Sequence, residues 1–342
     1  MIDEVSEAAA TLRGLANGLR VSQALYVAAQ LGVADHLSER SLNSSELAAA
    51  TGADAAALGR VLRALSVLGV FSVSASGHYS LNSVGRLLRS NIPGSWRAGV
   101  LFTAGPVRWR CWSQLLETVK TGANASERVL GRQLFEFYAA NPIESKIHDD
   151  AMQSFSASHA AAIVAAIDFR QARFVVDVGG GTGELLAAIL AAHPHLRGVI
   201  FDLPNVVDQA AHVLGERQVA DRCTIERGSF FESVPRHGDV YLLKHVIHDW
   251  NDERAAEILR CCRRCMPPNA ELLLVERRMP EIGDSDGPAE SFMTDLEMLV
   301  MSPGGRERTE SEFRKLLEDA GFEYLKALQT ASPSCVFEAQ PA

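Results

Sequence analysis

The run Val176-Asp177-Val178-Gly179-Gly180-Gly181-Thr182-Gly183 constrains this chain more than any other stretch. It lies between an apolar segment, Phe174 to Val178, that reads as a strand and an apolar segment, Glu184 to Ala192, that reads as a helix. Glycines at 179, 181 and 183 let the backbone turn sharply and bring bare amides near a ligand. A dinucleotide fingerprint would place its third glycine at 184, where this chain has Glu. A carboxylate on the first helical turn repels a pyrophosphate, and no Lys-Ser/Thr pair follows to make a P-loop. The loop therefore suits a nucleoside ligand without phosphates, S-adenosylmethionine (SAM) foremost. A nicotinamide or flavin ligand, or a purely structural turn, are the alternatives.

With 342 residues, 47% of them hydrophobic, the chain is long enough for two domains with their own cores. Its formal charge of −9 argues against a nucleic-acid partner. Six cysteines in a chain this long do not make a disulfide scaffold. The acidic start, Met1 to Glu7, does not read as a signal peptide, and no apolar run reaches the ~18 residues a membrane span needs. A soluble cytoplasmic protein without a membrane partner is expected. Cys261, Cys262 and Cys265 have a metal-like spacing. However, Asp252 to Met266 reads as a helix with Ala255, Ile258, Leu259, Cys262, Cys265 and Met266 on one apolar face. Neighbouring residues diverge by about 100° on a helix, so packing is the expected role and no metal is expected.

Residues 1–100 read as helices followed by two short strands, Val70 to Val73 and His78 to Leu81, around a Ser-Gly turn. Helix, turn, helix and two-stranded wing make a winged-helix pattern, which raises a DNA-binding regulator as a rival. Yet this segment carries eight Arg and no Lys against seven acidic residues, a net of +1. That is a poor surface for releasing counterions from DNA, and a long apolar first helix suits a homodimer surface instead. Residues 101–165 read as a helical connector rich in aromatic residues: Trp109, Trp112, Phe135, Phe137, Tyr138 and Phe155, with Met152. Most should be core, and a few should wall an apolar, aromatic-accepting pocket. From 166 to 342 strands alternate with helices; the candidate strands are Phe174–Val178, Gly198–Asp202, Cys223–Glu226, Asp239–Leu243 and Glu271–Glu276. Continuous apolar strands with crossover helices predict a doubly wound parallel sheet whose ligands bind at the carboxyl ends of the strands.

Those ends carry the chemistry. Asp202, followed by Leu203, lies where an acidic residue can accept ribose hydroxyls. In Gly228-Ser229-Phe230-Phe231, Ser229 could bond an adenine edge and Phe230 could stack on its face. Leu243-Lys244-His245-Val246-Ile247-His248-Asp249-Trp250 offers two histidines beside a carboxylate, and methyl transfer to a hydroxyl needs a base of near-neutral pKa. Glu276 and Glu307 could accept the far imidazole N–H of such a base.

Four motifs together resemble the SAM-dependent O-methyltransferases of the caffeic acid and hydroxyindole type, including bacterial members acting on aromatic natural products. They are Asp177 to Gly183, Phe201-Asp202-Leu203-Pro204, Leu243 to Trp250, and Gly304-Gly305-Arg306-Glu307-Arg308-Thr309. The resemblance spans nearly the whole chain. It implies a Rossmann-like doubly wound α/β domain that binds SAM and releases S-adenosylhomocysteine, behind a mostly helical, winged-helix-like dimerisation domain. It makes His248, not His245, the general base, with Glu276 and Glu307 orienting it and Asp249 holding the reacting hydroxyl. It puts Gly179, Asp202 and Lys244 at the cofactor with Ser156 near it, and Met152 and Met298 at a small aromatic hydroxylated substrate. Gly181 of the glycine loop is also expected at the cofactor, and Phe155 at the substrate. It also implies a homodimer and a metal-free reaction. One departure stands out: the family usually has Gly-Asp-Met/Phe-Phe where this chain has Gly228-Ser229-Phe230-Phe231. A neutral hydrogen bond from Ser229, or a neighbouring backbone group, is expected in its place. N- or C-methylation, or a non-methylating SAM reaction on the same scaffold, is the remaining alternative.

Overall fold

The structure, a computed structural model, describes residues 2–207, 210–281, 283 and 288–342. The chain forms two compact units, Met1–Trp109 with Asp150–Ser154, and Arg110–Asp149 with Phe155–Ala342.

In the first unit two successive helices are started by side chains. Asn43 caps Ser44–Thr51 and forms a capping box with Glu46; Asp54 caps Ala55–Val67 through the amide of Ala57. The latter helix buries Leu58, Leu62 and Leu65, spaced three to four apart, against Val33, Leu37, Leu47, Phe71 and Tyr79. Strands β1 (Phe71–Val73) and β2 (Tyr79–Leu81) pair antiparallel, and Leu42 bridges to Tyr79. This is the expected helix, turn, helix and wing. The helix Ile2–Ala16 is different: its Val5, Leu12 and Leu15 are exposed.

The second unit is built on one sheet with strand order β5-β4-β3-β6-β7-β10-β9. Strands β3 (Phe174–Val178), β4 (Arg197–Asp202), β5 (Cys223–Arg227), β6 (Val240–Lys244) and β7 (Glu271–Met279) are parallel, at the positions expected. The two-residue β8 (Arg308–Thr309) pairs parallel with the end of β7. β9 (Phe322–Gln329) and β10 (Ser334–Pro341) form a hairpin, and β10 runs antiparallel to both β7 and β9. The sheet is therefore mixed at this edge, not wholly parallel. Alternation along the strands feeds two cores. Val176, Val178, Tyr241, Leu243, Leu272 and Leu274 pack on one face, with Ile258, Leu259 and Cys262 of the helix Asp252–Cys265. Val175, Val240, Leu242, Leu273 and Val275 pack on the other, with Leu186 and Leu190 of the helix Glu184–Ala192. Each such fully buried aliphatic side chain contributes roughly 1.5–3 kcal/mol, so the sheet is a rigid platform for its loops.

The cysteines follow the packing expectation. Cys261 and Cys262 are buried within the helix Asp252–Cys265, Cys265 is partly buried, and all six cysteines are free thiols. No helix is long and apolar enough to cross a membrane among the described residues.

Candidate active site

β3 and β6 are neighbours from which the strand order runs in opposite directions, so a crevice opens beyond their carboxyl ends. Gly179 sits there with φ of +70°, and a Cβ at that position would come within 2.7 Å of Val246 Cγ2 and 3.7 Å of the Phe230 ring. Only glycine fits without displacing the far wall. The loop's amides, however, are not bare. Gly179 and Gly180 donate to the Phe201 carbonyl at 2.8 and 3.3 Å, Gly183 donates to the Gly180 carbonyl at 2.9 Å, and Gly181 donates to Asp202 Oδ2 at 2.9 Å. Three of these donors tie the loop to β4 and the fourth closes a turn within it, so none of the four is free to cradle a phosphate. Glu184 also differs from expectation: its carboxylate is buried and paired with Arg217 at 3.1 Å. The discrimination against phosphate lies in the occupied amides more than in the charge of Glu184.

Asp202 uses both oxygens, accepting from Gly181 and, at 2.7 Å, from the Leu203 amide. Burial pushes its carboxyl up, opposed by those two amide bonds. The Ser229 hydroxyl accepts from the Phe231 amide at 3.3 Å, which leaves its O–H available as a donor. Phe230 belongs to an aromatic group with Phe231 and Trp250, at centroid distances of 5.0 and 6.2 Å. Phe135 stacks on Trp250 from the outside, while Trp112, Phe137 and Tyr138 pack in a small core with Val300 and Met301. Lys244 donates to Ser156 at 3.0 Å and lies 3.4 Å from His245 Nδ1. Burial pushes Lys244 down to about 8, with Asp177 and Glu276 opposing.

Sequence reasoning passed over Asp177, which is buried at the end of β3 among apolar neighbours. Its Oδ2 has no hydrogen-bond partner among the described residues, and burial pushes the carboxyl up to about 7. The signal was available: an acid inside an otherwise apolar parallel strand is costly unless something pairs with it.

The two histidines are opposites. His245 has the left-handed φ of +52°, which costs a non-glycine residue about 1–2 kcal/mol, and its Nε2 lies 3.3 Å from Ser334 Oγ. Burial, then Lys244, hold it well below the ordinary histidine range, so its ring is neutral. It stacks against His248, with centroids 5.3 Å apart. His248 faces carboxylates: Nδ1 is 3.0 Å from Glu307 Oε1 and 3.7 Å from Glu276 Oε2, and Nε2 is 4.0 Å from Asp249 Oδ1. Burial alone would lower its pKa, but Glu307, Glu276 and Asp249 together raise it to about 10. Burial pushes Glu276 up to about 7. Glu276 acts chiefly on backbone, its Oε1 accepting from the Val246 and Ile247 amides at 3.1 and 2.8 Å. Glu307 alone bonds the ring directly. The pairing of β8 with β7 is what brings these two distant carboxylates together. The ligand-type atoms of His248, Glu276 and Glu307 lie within 4.8 Å of one another, a spacing that could hold a metal ion. The imidazole engages Glu307 Oε1 and two amides engage Glu276 Oε1, while Glu276 Oε2 and Glu307 Oε2 are buried with no hydrogen-bond partner among the described residues.

Asp249 Oδ1 accepts from Ser302 Oγ at 3.0 Å, and the same hydroxyl approaches the Met298 sulfur at 3.8 Å. Met298 is nearly buried, and Phe155 is half-buried on the helix Pro142–Ala166. Met152, on the same helix, falls in the first unit.

The comparisons with known proteins agree along the chain. A family profile described as an O-methyltransferase dimerisation domain matches residues 14–91, and one described as an O-methyltransferase domain matches residues 112–323. The chain is 41% identical to a phenazine O-methyltransferase of Lysobacter antibioticus over 95% of its own length and 94% of the relative's. A solved mitomycin 7-O-methyltransferase superposes with a TM-score of 0.92 at 35% identity, covering 100% of both chains. The human N-acetylserotonin methyltransferase solved with SAM gives 0.91 at 27% identity, covering 98% of each. The chain therefore belongs to the O-methyltransferase family, as a SAM-dependent O-methyltransferase with the family's dimerisation domain.

Proposed function

We propose that this enzyme methylates a hydroxyl of a small phenolic or enolic aromatic acceptor, with His248 as general base. The observation that carries the reading is the 3.0 Å contact of His248 Nδ1 with Glu307, which leaves Nε2 without a hydrogen bond among the described residues. Nδ1–H donation to Glu307 makes Nε2 the nitrogen that is free once the ring is neutral. With the ring's pKa raised to about 10, this neutral base is the minor form near pH 7, and its share grows as pH rises. Nε2 then takes the hydroxyl proton, and the imidazolium so formed is stabilised by Glu307 and Glu276. Asp249, held by Ser302, orients the hydroxyl, while Met298 and Phe155 grip the ring. Bound SAM supplies an electrophilic sulfonium methyl group. Gly179, Gly181, Asp202, Leu203, Ser229, Phe230, Lys244 and Ser156 would hold it. Two features fit such a ligand better than a phosphate: the occupied amides of the glycine loop, and the unpaired buried oxygen of Asp177, suited to an ammonium group.

The division into a dimerisation domain at 1–100, a connector at 101–165 and a catalytic domain at 166–342 belongs to this reading. So does a homodimer built on the exposed apolar face of the helix Ile2–Ala16. The free thiols fit a cytoplasmic setting. The reaction proceeds without a metal, so chelation with EDTA should leave the rate unchanged.

His248→Ala should keep S-adenosylhomocysteine affinity, read by calorimetry, and lose on the order of 10²–10⁴-fold in kcat. Near-wild-type turnover in this variant would end the assignment. Product mass from a panel of phenols and aryl amines separates O- from N-methylation.

A further inference from the structure

We infer that Arg308 is a positioning residue: its buried guanidinium clamps the segment carrying His248 to the segment carrying Glu307, and so sets the proton affinity of the base. Arg308 is fully buried. Its Nη1 donates to the Ile247 carbonyl at 3.1 Å and approaches the Arg306 carbonyl at 3.5 Å. Nη2 donates to the Trp250 carbonyl and to Asp252 Oδ1, both at 2.8 Å, and Nε donates to Asp252 Oδ1 at 3.0 Å. The five N–H donors of the fork thus meet five acceptor contacts, and two of the acceptors bracket His248 and Asp249.

The rest of the contact between the segments agrees. The Arg306 amide donates to the His248 carbonyl at 2.8 Å. A Cβ on Gly305 would come within 2.8 Å of the His248 carbonyl and 3.0 Å of that of Asp249, so the two backbones touch. Between Arg306 and Arg308 sits Glu307, whose carboxylate is the direct partner of His248. Arg308 therefore fixes, from one buried point, the backbone on both sides of a single catalytic hydrogen bond. Lysine is not an equivalent, because a compact ammonium cannot span acceptors laid out for a planar fork. The exposed end of the clamp is Asp252, at the first turn of the helix Asp252–Cys265, which also pairs with Arg306 at 3.3 Å.

The inference rests on His248 being the base. The groups facing His248 are Glu307 beyond the Gly304-Gly305 turn, Glu276 from β7, Asp249 beside it and the neutral ring of His245. Loosening the Glu307 contact lowers the proton affinity of the imidazole, so the acidic limb of the rate profile moves to lower pH while the plateau falls.

The test is the pH profile of kcat for Arg308→Lys and Asp252→Asn, with S-adenosylhomocysteine affinity and thermal midpoint measured on the same samples and His248→Ala as control. Arg308→Lys should lose about 100-fold in plateau kcat, keep affinity within about threefold, and shift the limb down by about half a pH unit or more. Asp252→Asn should shift the limb in the same direction with a smaller loss, and it decides the matter alone if Arg308→Lys does not fold. A limb that stays in place, with turnover lost only in proportion to ligand-binding sites, would reduce Arg308 to a structural residue and overturn the inference. Active His248→Ala would instead overturn the base assignment beneath it.

Discussion

On the glycine-loop side of the crevice, backbone groups from β3 and β4 satisfy one another and leave a shaped, mostly neutral surface around Gly179 and Asp202. On the histidine side, ionisable groups from positions 248, 276 and 307 converge with their charges only partly compensated. The first region is local and pre-bonded, so substitutions there should act on binding. The second is assembled across the sheet and electrically loaded, so substitutions there should act on turnover and its pH dependence.

The largest break should come from Gly179→Ala. The added Cβ meets Val246 at 2.7 Å and must also adopt φ of +70°. S-adenosylhomocysteine should bind about 100-fold more weakly by calorimetry, a loss reflecting both the unfavourable left-handed backbone and the clash. Unchanged affinity would mean that the loop is not the seat of the cofactor. Glu307→Gln should do the reverse. Its amide oxygen can still accept Nδ1–H, so affinity should hold, but without the negative charge the imidazolium is less stable. A fall of about 10- to 100-fold in kcat and a limb at lower pH are expected in stopped assays across pH. An unmoved limb would detach Glu307 from the base. Ser229→Ala should be mildest, weakening S-adenosylhomocysteine about 2- to 10-fold, the scale of one neutral hydrogen bond. No change would show that a backbone group serves the adenine edge instead.

The same contrast explains what could be read from residue order. β3 to β7 were legible because continuous apolar runs and glycine turns are local signals. The candidate residues at their ends followed from the rule that parallel sheets bind ligands there. Tertiary pairing was not legible. The sequence shows Glu184 on a first helical turn, but not Arg217 folded over it. It shows glycines at 179, 181 and 183, but not that the loop's amides are spent on Phe201 and Asp202. β9, with half its side chains in solvent, lacks a clean alternation, and the antiparallel insertion of β10 is set by the hairpin rather than by composition. Glu276 and Glu307 were found as residues, yet their different tasks depend on the two-residue strand β8, too short to leave a periodic signal.

The most direct test is the titration of the His248 imidazole by NMR, with ¹³C-labelled histidine and His248→Gln for assignment. Two ionisable partners on one side of the ring and a neutral histidine on the other predict a midpoint well above 6.5, toward about 10, that falls in Glu307→Gln. A midpoint at or below 6.5, or one indifferent to Glu307, would contradict the account of how this site makes a base.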